Sequence, residues 1–163
     1  MKVTIGTPID MDIKSVNVPE QPVQKTIGTA GYGYINSNIS KSETLVQNPG
    51  VRFMGVWHPN RNITSESAGE AMMSMITVID GETYFGRPAT VEELASYEIM
   101  FHTELGDTIL VVLGEKVSDD SYECVAYRFV NGSRRLLNLH DWAVGWGADY
   151  RFLVVFEKSS EPE

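Results

Sequence analysis

The stretch DYRFLVVFEK (149–158) decides the fold. Its centre, FLVVF at 152–156, is apolar at every position, so alternation cannot assign it a single dry face. An apolar run this short, flanked by charged residues and rich in Val and Phe, reads as a strand covered on both faces rather than as a helix. ILVVL at 109–113 has the same character. Two strands of this kind belong at the centre of a sheet with material packed on each side.

Around these two runs the β signal continues. VRFMGVW (51–57) is strand-like and ends at His58-Pro59. MITVID-GE-TYFG reads as a hairpin, because Asp80-Gly81 supplies the positive φ angles of a type I′ turn. SYECVAYRFV (121–130) leads through Asn131-Gly132 into SRRLLNLH. Two Ser/Thr-x-x-Glu patterns, Ser67 with Glu70 and Thr90 with Glu93, predict short helices over 66–74 and 90–96. A helical template extended to Leu105 places five apolar residues at seven positions. From Tyr97, however, Tyr97, Ile99, Phe101 and Leu105 alternate with Glu98, His102 and Glu104, which predicts a strand over 97–104. The expected fold is mainly β: an antiparallel two-layer sandwich or barrel-like meander with one or two short helices.

Residues 1–50 differ in composition from the rest. They hold four of the seven prolines and only two of the 16 aromatics, Tyr32 and Tyr34. Prolines remove ladder donors and restrict the residues before them. This segment is expected to be an extended N-terminal arm with short strands at 2–6, 32–36 and 43–47, held by its own domain or by a neighbouring subunit. Residues 51–158 form the expected β-rich domain, and 159–163 a frayed tail.

Composition narrows the function. A formal charge of −9, with 13 basic against 22 acidic residues and no cluster beyond Arg134-Arg135, lacks the footprint of nucleic-acid binding. The longest uninterrupted apolar run, at 109–113, is far too short to span a bilayer as a helix, and the N-terminal stretch carries no apolar signal region. One cysteine, Cys124, permits no internal disulfide. No membrane or nucleic-acid partner is expected, and folding in a host cytoplasm is.

LHDWAVGWG (139–147) concentrates the residues that carry chemistry. Over nine residues it resembles the His-Ala-Val…Val-Gly-Tyr-Gly stretch of papain-like cysteine peptidases. The first glycine falls one residue too early, though, and the sole cysteine lies 16 residues upstream rather than near the domain start. The stretch reads instead as a corner between strands, with Trp142 and Trp146 closing one end of the body and His140 partly exposed. A second reading makes Trp57, Trp142 and Trp146, with His58 and His140, a lectin-like ligand platform. A third is a small hydrolase or metalloenzyme using His58, His102 or His140. These histidines lie some 40 residues apart with no H-x-H spacing, so neither metal nor cofactor is expected. GTAGYGYIN (28–36) lacks the lysine and spacing of a phosphate loop and reads as a bend anchored by Tyr32 and Tyr34. Glu92-Glu93 reads as a helix first turn favoured by the macrodipole. The function expected is a non-enzymatic structural or assembly subunit of a phage or virus particle. It would form a homo-oligomer, or join other virion proteins, through its arm and exposed edges.

Overall fold

A computed structural model describes residues 2–5 and 7–158. The chain is mainly β. In order it forms β1 (Lys2–Ile5), β2 (Thr7–Asp10), β3 (Ile13–Val18), α1 (Val23–Thr29), β4 (Tyr34–Ile35), α2 (Ser37–Ser40) and β5 (Gly50–Trp57). It continues with α3 (Ser65–Met73), β6 (Ile76–Ile79), β7 (Glu82–Pro88), α4 (Val91–Leu105), β8 (Leu110–Asp119), β9 (Tyr122–Asn131), β10 (Arg134–Asp141) and β11 (Arg151–Glu157).

The two doubly apolar runs become neighbours at the centre. β11 pairs parallel with β8 through Arg151↔Leu110 and Phe152↔Val111. On the same side its later half pairs with β7, from Val154↔Pro88 to Glu157↔Phe85. Its other side carries β5, from Phe152↔Trp57 to Phe156↔Phe53. The sheet therefore branches at β11, with β7-β6-β1-β2 as one wing and β8-β9-β10-β4 as the other, while β3 lies outside β5. Alternation along the central strands fills two cores. Leu110, Val112, Leu153 and Val155 face the core under α1, α2 and α4. Val111, Leu113, Phe152, Val154 and Phe156 face the core under α3 and the 142–150 segment.

The mainly β architecture expected from the sequence is the one adopted, with differences in detail. The sheet is mixed, because β8 and β11 run parallel, and the described residues form four helices. The Asp80-Gly81 hairpin has φ of 51° and 79° at its two turn residues, as a type I′ turn requires. The Thr90–Glu93 capping box forms. The first helix pattern shifts by one turn: Thr64, not Ser67, is the N-cap, its hydroxyl accepting from Ser67 N at 3.1 Å.

The strand predicted over 97–104 is instead the continuation of α4, interrupted by one non-helical residue, Phe101. The alternation misleads because Glu98 does not face water. It is fully buried, so helical spacing rather than period two sorts the inward residues. Tyr97 and Phe101, four apart, meet at 5.1 Å.

Residues 2–50 are built into this body rather than extended from it. β3 pairs with β5 over six residues, and Val16, Val18, Val23, Ile27, Ile39 and Leu45 lie in the α4-side core. Of the strands expected there, those at the start of the chain and at 34–35 form, whereas 43–47 is not a strand. The tail at 159–163 lies outside the described residues.

Candidate functional site

The 139–147 stretch is a strand corner pinned at every turn. β10 ends at Asp141, whose carboxylate accepts from Ala143 N at 2.9 Å and starts the bend. Trp142 N reaches back to Glu123 O at 2.9 Å. Trp146 and Ile63 exchange two backbone bonds of 2.8 and 3.0 Å. Ser65, the first residue of α3, links both tryptophans: its hydroxyl donates to Trp142 O at 2.9 Å and accepts from Trp146 Nε1 at 2.8 Å. His58 Nε2 donates to Ala148 O at 2.8 Å.

This geometry sorts the candidate residues. Trp146 is buried, packed among His140, Tyr150, Phe152 and Tyr127 at ring distances of 4.2 to 6.2 Å. Trp57 is also buried, against Phe152. Trp142 is half-buried, with the Lys116 ammonium 4.4 Å from its ring centre. The corner does bring Trp57-His58 beside the tryptophan loop, but two of the three indoles face inward. A cleft of about 380 Å³ opens beside Trp146, bounded by residues 62–64 and 145–147. His140 Nε2 is buried with no hydrogen-bond partner among the described residues.

Register separates the would-be catalytic groups. Cys124 pairs with Asp141, and His140 with Val125. Val125 faces the α3-side core, so the thiol and the imidazole lie on opposite faces of the sheet. Burial pushes the Cys124 thiol up, which makes it a poorer nucleophile. His58, His102 and His140 sit after β5, on α4 and on β10, and no metal-holding group of His, Cys, Asp or Glu occurs among the described residues. Tyr34 is exposed on β4, while Tyr32 turns its hydroxyl inward toward Glu98, where burial raises its pKa well above the ordinary value.

Two buried ionic clusters were not foreseen from the sequence. Glu98 takes a two-point bond from Arg128 at 2.8 and 3.1 Å and a third from Arg135 at 3.2 Å. Arg128 also donates to Gly106 O and Thr108 O, fixing the end of α4 to β9. At the other end of the helix, Glu93 receives Arg87 and Arg52, Glu92 accepts from Asn48 N, and Glu115 accepts from Val91 N and Val46 N. These carboxylates bond mainly to backbone and to guanidinium, and they tie the 46–48 loop to α4.

The surface offers one further feature. In β6 the burial alternates: Thr77 and Ile79 turn toward α3, while Ile76 and Val78 are 40% and 58% exposed. Ile76 pairs with Phe85, itself 41% exposed, so the outer face of β6–β7 is an apolar patch.

No protein-family model, curated protein or solved structure matches this chain. The reading of function therefore rests on these side chains alone. Of the residues singled out in the sequence, Trp57, Trp146 and Tyr32 serve the interior, His58 and Trp142 brace the corner, and Tyr34 remains at the surface.

Proposed function

We propose that the protein is a non-enzymatic assembly subunit, of the kind that builds phage or virus particles, and that it works as a homo-oligomer. The observation that supports this reading is the Ile76–Val78–Phe85 face. One side of the β6–β7 wing is covered by α3, and the other presents three large apolar side chains to solvent. The contact is placed on this face and not on the neighbouring sheet edge. β2 is that edge, and Pro8 removes a donor from its middle. We place the contact here rather than on residues 1–50, because β3 and α1 belong to the subunit's own sheet and core and deleting 1–30 would remove them. Solution mass by light scattering tests the proposal. The wild type is expected to be an oligomer, and Val78→Lys combined with Phe85→Lys a folded monomer. A monomeric wild type at high micromolar concentration would overturn it.

A further inference from the structure

A second feature is independent of assembly. β3, β5, α4 and β11, with the loops beside them, converge on a pocket of about 250 Å³ at the C-terminal end of α4. Its titratable groups come from Asp12, Lys14, His58, Tyr97, Glu104 and Arg151. Their two cations are not equally engaged. Lys14 bonds to Asp12 at 3.1 Å and to Glu104 at 2.8 Å, so one ammonium holds both carboxylates. Arg151, half-buried at the start of β11, has no side-chain hydrogen bond or ion pair among the described residues. It stands cross-strand from His58, one step beyond the Phe152↔Trp57 pair. His58 Nε2 is committed to Ala148 O, which fixes the ring in place. Val56, Leu105 and the ring of Tyr97 supply apolar wall.

We propose that this pocket binds a small monocarboxylate, its carboxylate on the Arg151 guanidinium and its apolar body against Val56, Tyr97 and Leu105. A guanidinium fork matches a carboxylate at two points, and such charge-assisted pairs are strong where water is partly excluded. Phosphate dianions fit the fork equally well by shape. The exposed carboxylates of Asp12 and Glu104 at the rim, and the overall charge of −9, oppose a second negative charge. The Tyr97 hydroxyl stays a neutral donor, because burial pushes its pKa up to about 12.

Benzoate and isovalerate, titrated into the full chain while backbone amide NMR shifts are followed, test the proposal, with inorganic phosphate in parallel. Saturable shifts at residues 12–14, 56–58, 104–108 and 151 are expected for at least one carboxylate. In Arg151→Gln the affinity should fall on the order of tenfold or more, and Arg151→Lys should recover only part of it. The proposal fails if neither carboxylate shifts these amides, if phosphate binds as tightly as the carboxylates, or if Arg151→Gln binds like wild type. Should Arg151→Gln not fold, the wild-type titrations still decide between carboxylate, phosphate and no ligand.

Discussion

Ser65 ties the tryptophan corner together through a single hydroxyl. Its hydroxyl both donates to a backbone carbonyl and accepts from an indole, and the site is buried. Ser65→Ala is therefore expected to leave Trp146 Nε1 and Trp142 O without partners, at a cost of about 1–3 kcal/mol. Urea unfolding followed by tryptophan fluorescence measures it, and a loss near zero would mean that water replaces the hydroxyl. Glu98 makes the complementary case. Its three charge-assisted bonds lie in the interior. Glu98→Leu strands Arg128 as a buried, unpaired charge and should cost about 3–5 kcal/mol. Adding Arg128→Met removes that charge and should restore much of the loss. If the double variant were no more stable than the single one, the pair would not be the source of the penalty.

At the scale of elements, the first turns of α3 and α4 make a paired test. Thr64 and Thr90 each accept from a backbone N–H three residues on, whereas Ser67 lies inside α3. Thr64→Ala and Thr90→Ala should each cost about 0.5–2 kcal/mol, and Ser67→Ala close to nothing; equal losses at Thr64 and Ser67 would contradict the assigned cap. These helices also show how far the sequence could be read. The runs at 109–113 and 152–156 were legible as central strands, because they are apolar on both faces, too short for a helix and rich in Val and Phe. The turn at Asp80-Gly81 was legible for an equally local reason. The second half of α4 was not, since its decisive residue is a buried glutamate whose partners lie 30 and 37 residues away. Helical spacing of Val23, Ile27 and Ala30 after Pro22, and alternation of Val16 with Val18, were the signals that residues 13–30 belong to the core. Their weakness is that each buries only a few side chains. The Arg151 pocket had no local signal at all, because four elements distant in sequence, β3, β5, α4 and β11, build it with their loops.

For the whole molecule, the N-terminal end of α4 sets how stability follows pH. Glu92 and Glu115 tie the 46–48 loop to the helix while buried near Glu93. Burial is the main reason both carboxyls have raised pKa values, and the backbone N–H groups they bond offset it only in part. The oxygen of Glu92 that does not bond Asn48 N has no hydrogen-bond partner among the described residues. A carboxyl raised in the folded state holds its proton there at pH values where the unfolded chain has released it. Stability from these two groups is thus fully present below the ordinary carboxylate pKa and is lost as pH rises through the raised values. Asp10 runs the other way: its bond to Lys2 holds its pKa below the ordinary range, so it acts at lower pH than this window. The melting temperature is therefore expected to rise as pH falls from neutral toward the ordinary carboxylate pKa. Glu92→Gln and Glu115→Gln should each flatten that slope, because an amide has no proton to release. A melting curve whose pH slope is the same in the wild type and both variants would show that the two carboxyls ionise as they do in water, and that the loop–helix junction is solvated rather than dry.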